Sequence, residues 1–305
     1  MKILKRWIFF FALIIIPFLI LTLIVFGSRE SRKKDLDGQW IAFYCGMPEP
    51  GKHASEGKRA IYVVRSDGSE IRELVSPTRR PITGPAWSPD GMWIVYEEDF
   101  SIHLIHGNGS QDRILRLGNG SYTHPAWSPD SQSLALIVGL SDIGVVQLDE
   151  MKLRIITSYG DIYAEPAWSP NGRWVAFGRG RSLYLMQIDG SDPHVVLTSN
   201  ADVEHLTWSP DSKWIALSYQ GADGFYTLYR VRPDGSDLQP ILNDSQQITT
   251  PLFEPAWSPD GSWIAFASYE DIYKVHPDGT DLQQLTNMKC NRASHPTWSP
   301  VLEAK

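Results

Sequence analysis

Pro85-Ala86-Trp87-Ser88-Pro89-Asp90-Gly91 decides the fold, because the stretch recurs. It returns at 125–131, 166–172, 206–212 and 255–261, and its first half returns at 296–300. The tryptophans it carries, Trp87, Trp127, Trp168, Trp208, Trp257 and Trp298, lie 40 or 41 residues apart, with one gap of 49. Repeats of about 40–45 residues built from short strands and turns are the pattern of a β-propeller with four strands, A to D, in each blade.

Each part of the repeat has a physical task. Ser-Pro-Asp-Gly suits a type I turn, since proline fixes φ at the second position while Asp and Gly suit the third and fourth. It joins strand A to strand B. The apolar runs that follow, such as Trp93-Ile94-Val95-Tyr96 and Trp263-Ile264-Ala265-Phe266, read as buried strands. A third strand, Asp271 to His276 in the last full repeat, runs into the turn Pro277-Asp278-Gly279, and Leu282 to Thr286 forms the fourth. Most recurring Trp, Asp and Gly residues are therefore packing and turn residues. The Asp-rich turns lack the Asp-x-Asp-x-Asp-Gly loop ending in Glu that calcium would need.

The ends give the blade number. The first repeat starts at Asp37 without a Trp-Ser-Pro strand, and the last stops at Thr297-Trp298-Ser299-Pro300 with only that strand. Together they complete one blade, so six blades form an all-β ring closed by pairing of the C-terminal strand with the N-terminal blade. The Pro-Ala-Trp-Ser-Pro-Asp-Gly repeat, with Asp-Ile-Tyr and Asp-Gly-Thr-Asp-Leu, resembles the TolB-type WD-like propeller repeat over residues 35–300. The resemblance implies the propeller and an extracytoplasmic setting. Similar repeats also occur in the propellers of prolyl-oligopeptidase-type peptidases and in oligogalacturonate lyases, so binding and catalysis both stay open.

Ahead of the repeats, Trp7 to Phe26 are twenty residues without a charge, enough at about 1.5 Å per residue to cross a bilayer core of about 30 Å. The expected organisation is a cytoplasmic tail (1–6), a transmembrane signal-anchor helix (7–26), a linker (27–36), the propeller (37–300) and a short tail (301–305). Lys2, Lys5 and Arg6 precede the helix and Arg29, Arg32, Lys33 and Lys34 follow it, so charge alone barely orients it. We expect the propeller on the extracytoplasmic side. Of the net charge of −7, residues 1–34 carry +6, which leaves −13 on the rest. An acidic propeller without a Lys/Arg stripe is unsuited to a nucleic-acid backbone.

Function is expected on the face of the B–C and D–A connections. Trp40 to Tyr62 is 22 residues and Trp214 to Tyr229 is 15, against ten from Trp263 to Tyr273, and extra residues also precede Trp257. Loops lengthened on a rigid scaffold are common binding sites. Three residues before each repeat tryptophan stand Gly84, His124, Glu165, His205, Glu254 and His295. At the start of the innermost strand they should ring the channel mouth. Three readings follow: hydrogen-bonded channel lining, a ligand-binding ring for a protein, peptide or glycan, or a divalent-metal site, the last requiring three histidine nitrogens about 2.0–2.1 Å from one point. Imidazoles paired with the glutamates would have raised pKa values, and a response to mild acid is expected. No Gly-x-Ser-x-Gly elbow or His-Glu-x-x-His motif is present, no cofactor is called for, and a metal-assisted lyase or hydrolase is the alternative to a binding module. Cys45, at the start of the first B–C loop, and Cys290, in the last D–A connection, are the only cysteines and are expected to form a disulfide across the closing blade.

Overall fold

The computed structural model describes residues 39–47, 57–139, 141–158, 165–220, 226–242, 250–288, 290 and 292–300. The expected membrane helix 7–26, its flanking tail and linker, and the tail 301–305 lie outside these residues. Among the described residues no helix is long and apolar enough to cross a membrane.

Among the described residues twenty-four strands form six antiparallel four-stranded sheets within a compact unit that begins at Gln39. Blade one takes strands B to D from Trp40–Met47, Lys58–Arg65 and Ile71–Thr78, and its innermost strand from Arg292–Trp298. Blades two to six follow in chain order, their A strands being Ile82–Trp87, Tyr122–Trp127, Ala167–Trp168, Glu204–Trp208 and Phe253–Trp257. The first and last strands of the propeller meet where Ile41 pairs with Trp298.

The repeat serine explains why the turn recurs. Ser88 Oγ donates to Asp90 Oδ1 at 2.5 Å and accepts the Trp93 N–H at 2.9 Å, while the Gly91 N–H closes the turn on Ser88 O at 2.8 Å. The same cage holds Ser128, Ser169, Ser209 and Ser258. At the closure Ser299 Oγ accepts the Trp40 N–H at 2.8 Å and the Ser299 N–H donates to Trp40 O at 2.7 Å. The bond pair made elsewhere across five residues is made here across 259.

Both faces of each blade pack on a neighbour, so strand B is buried through consecutive residues: Ile94, Val95 and Tyr96 are all fully enclosed. The core is divided into wedges between blades. One joins Ile41 and Phe43 to Ala265, Ile272 and Leu285 across the closure, and Cys45 and Cys290 lie within it. Their sulfurs are bonded, with Cα atoms 5.5 Å apart. Cys45 sits inside strand Trp40–Met47 rather than in the loop expected from sequence, because pairing continues past Cys45↔Ala60 to Met47↔Lys58.

Candidate functional site: a histidine–glutamate cluster in the channel

Five of the six residues that stand three before a repeat tryptophan, all but Glu165, lie at β-bulges. The register of strands A and B shifts between Thr83 and Ala86, Thr123 and Ala126, Glu204 and Thr207, and Phe253 and Ala256, and at blade one between Ala42 and Tyr44. Gly84, His124, His205, Glu254 and His295 take left-handed φ values of 52° to 58° there. A bulge re-aims a side chain out of the alternating pattern. The ring positions consequently stand within the strands of blades one, two, three, five and six rather than at their first residues, a correction to the expectation from sequence.

Glu165 is the hub of the resulting cluster. Its Oε2 lies 3.3 Å from His205 Nδ1 and its Oε1 lies 3.3 Å from His295 Nε2 and 3.7 Å from His124 Nε2. Blades four and one stand opposite each other, so the Glu165–His295 pair spans the channel. Glu254, 4% exposed, adds contacts of 3.4 Å to His295 Nδ1 and 3.9 Å to His205 Nε2, and accepts the His295 backbone N–H. Its Oε1 also takes an Arg292 contact at 3.5 Å. Gly84 leaves its place open: an added Cβ would be 3.7 Å from His295 Cδ2. A cavity of about 300 Å³ runs beside the cluster along the inner strands.

The charges follow from this packing. Burial alone would lower the His205 pKa, but the Glu165 charge and hydrogen bond, with Glu254 and Glu204 behind them, raise it to about 9. Burial likewise opposes charging of His295, and Glu254 and Glu165 overcome it and raise its pKa. Glu165 is held well below the carboxylate range, because His205, His295 and His124 outweigh its desolvation. His205 therefore discharges on the alkaline side of neutrality, and the acid response expected for it from sequence is corrected to an alkaline one. The three-histidine metal arrangement is also corrected: the ligand atoms that lie within 4.8 Å of one another belong to Glu165, His205 and His295, and His124 touches Glu165 from the blade before it.

A second regularity escaped the sequence reading. The indole N–H groups of Trp127, Trp208 and Trp298 donate to Ala86, Ala167 and Ala256 O at 2.9 to 3.1 Å, whereas those of Trp87, Trp168 and Trp257 have no partner among the described residues. The bonded indoles belong to the three histidine blades. The fourth turn residue alternates in step, as Gly91, Ser131, Gly172, Ser212 and Gly261, and Ser131 and Ser212 Oγ accept the N–H of Asp90 and Asn171 in the preceding blade. The structural unit is a pair of blades used three times, and the Gly/Ser alternation was its signal in the sequence.

A family profile described as the TolB beta propeller domain matches residues 51–302. A curated relative, the uncharacterized peptidase YuxL of Bacillus subtilis, is 23% identical over 208 residues, which is 61% of this chain and 31% of the relative; this chain thus spans under a third of that protein. Among solved structures, TolB from Acinetobacter baumannii aligns with a TM-score of 0.71 and 21% identity over 87% of this chain and 67% of its own. A chain of a nidogen/laminin complex aligns with a TM-score of 0.69 and 12% identity, covering 86% of this chain and 98% of its own.

Proposed function

This chain belongs to the TolB beta propeller domain family, and from that premise we propose that it is a membrane-anchored, extracytoplasmic binding module for a protein, peptide or glycan. The observation that carries the reading is the placement of His205, Glu254 and His295 in left-handed backbone, where Gly84 shows that glycine is accepted. A β-carbon in that region costs about 1–2 kcal/mol, and these positions bear it to gather charged groups beside an open channel. The lengthened B–C and D–A connections read from the sequence fall largely outside the described residues, and their length is the second support for a contact surface. The alignment with a chain from a complex of two proteins supports a protein ligand in general terms. The uncharged run 7–26 supports the anchor, and the Cys45–Cys290 disulfide supports an oxidising compartment.

Crosslinking in intact membranes, followed by identification of captured species, tests the proposal. The full chain is expected to capture a discrete partner that the combined variant His124→Gln, His205→Gln and His295→Gln loses at unchanged expression. Equal capture by the variant would overturn a role for the cluster. The Glu165–His205–His295 geometry favours one second reading, a metal-assisted lyase or hydrolase. On that reading the purified chain carries stoichiometric divalent metal that Glu165→Gln removes.

A further inference from the structure

Tryptophan stands at the first residue of strand B or immediately before it in five blades, at Trp40, Trp93, Trp174, Trp214 and Trp263. At each of these positions the backbone N–H donates to the Oγ of the repeat serine. The sixth equivalent is Ser133, whose N–H donates to Ser128 Oγ at 2.9 Å. Where tryptophan is present, a cation or imidazole covers it. Arg65 and Arg72 lie 4.7 and 4.4 Å from the Trp40 ring, Arg113 4.8 Å from Trp93, Arg232 3.9 Å from Trp214 and Lys274 4.1 Å from Trp263, while His194 meets Trp174 edge-on. The same indole shares an apolar wedge with the inner tryptophan of the next blade for Trp40 and Trp87, Trp93 and Trp127, Trp174 and Trp208, and Trp263 and Trp298.

Blade three keeps the cation and the inner tryptophan but lacks the ring between them. Arg154 pairs with Val145 as Arg113 pairs with Leu104, so the two arginines are equivalent. Its guanidinium is fixed toward the next blade by donating to Ile188 O at 3.2 Å and Asp189 O at 3.4 Å. Between it and Trp168 is a cavity of about 530 Å³, lined also by Ser133, Val145 and Gln147. That volume is within the range of about 300–1,000 Å³ typical of ligand pockets. The turn residues Pro129, Gly172 and Ile188 border it, which puts it on the face opposite the histidine–glutamate cluster.

We propose that this cavity receives a tryptophan side chain from a partner polypeptide, completing from outside the stack that the other blades complete from within. Two features of the cavity match that occupant: an indole-accepting wall at Trp168 and a held cation at Arg154. Indole over guanidinium gains from the ring quadrupole, and buried tryptophans are frequent anchors of protein interfaces.

Fluorine NMR of N-acetyl-fluorotryptophanamide, with the full chain in detergent, reads binding without interference from the chain's own tryptophans. Wild-type protein and Ser133→Ala are expected to broaden the probe at millimolar concentration, and a short peptide centred on fluorotryptophan should bind at least as well as the free amide. Ser133→Trp should abolish broadening and raise the melting temperature, because the missing indole is then supplied internally. Arg154→Gln should weaken binding about two- to fivefold, the size of an exposed cation–π contact. Gln at His124, His205 and His295 should leave probe binding unchanged, so failure here and failure of the channel reading are distinguishable. No broadening by wild type beyond a micelle control, or equal broadening by Ser133→Trp and Arg154→Gln, would overturn the proposal; fluoroindole binding better than the peptide would assign the cavity to small aromatic molecules instead.

Discussion

Gly84 supplies an internal reference for the ring positions, since it shares the left-handed backbone of His124, His205, Glu254 and His295 at no steric cost. Room exists for a Cβ there, so Gly84→Ala should cost about 1 kcal/mol, all of it conformational. His124 is the converse case: its Nδ1 has no hydrogen-bond partner among the described residues and its side chain is 35% exposed. His124→Gly should therefore stabilise the propeller by about 0.5–1 kcal/mol, the relief of strain exceeding the entropy of the added glycine, and urea unfolding checks both signs. His205 behaves differently because its charge is held by Glu165 and Glu254. Its folded pKa of about 9 lies above its ordinary 6.5, so its contribution is complete below pH 6.5 and disappears as pH climbs through about 9. Glu165, with a lowered pKa, contributes above its ordinary 4.5 and loses that contribution as pH falls. Melting curves of wild type and His205→Gln should thus converge toward pH 10 and separate toward pH 7; a constant separation would refute the pairing. Glu165→Gln, which removes the nearer carboxylate from His205 and leaves it only the longer Glu254 and Glu204 contacts, should cost about 2–3 kcal/mol at pH 7, less than the ~3–5 of a fully buried pair because the channel admits some solvent.

At the scale of elements, the turns were legible because each is written in contiguous residues: Ser-Pro-Asp-Gly states its own geometry, and every described copy closes as read. The bulges were not legible, since a register shift is a property of two strands and leaves no local mark beyond the residue that follows, usually proline. Cys45 was misplaced for the same reason, as the length of a strand depends on how far its partner continues. The closing strand is where the element argument bears most weight. Ser299→Ala leaves the buried Trp40 N–H without its acceptor and should cost about 1–3 kcal/mol. Cys45→Ser opens a link across 245 residues and should cost about 3–5 kcal/mol by freeing the unfolded chain. Denaturant midpoints with and without reductant measure the second, and an unchanged midpoint on reduction would contradict it.

At the largest scale the propeller is a ring whose blade count could be read from two incomplete repeats, whereas the cluster inside it could be read only as a set of candidates. Sequence placed His124, Glu165, His205, Glu254 and His295 at one repeat position but could not show that Glu165 reaches the opposite blade, because the channel width depends on how six wedges pack. The same wedges suggest how the ring comes apart. Each wedge between blades two and six joins consecutive segments of chain, but blade one alone is assembled from both ends, held by strand Arg292–Trp298, the Ser299–Trp40 bonds and the disulfide. Nearest-neighbour packing of this kind lets local opening begin at the weakest junction. Reduction removes the covalent part of that junction and leaves every other wedge untouched. Hydrogen exchange of the reduced chain should accordingly quicken first in Trp40–Met47 and Arg292–Trp298, then in Phe253–Trp257, which packs beside the closing strand, while Ser133–Val138 and Trp174–Arg179 on the far side keep their protection. Simultaneous loss in all six blades would mean that the propeller opens as one cooperative unit and that the junction is no weaker than the rest.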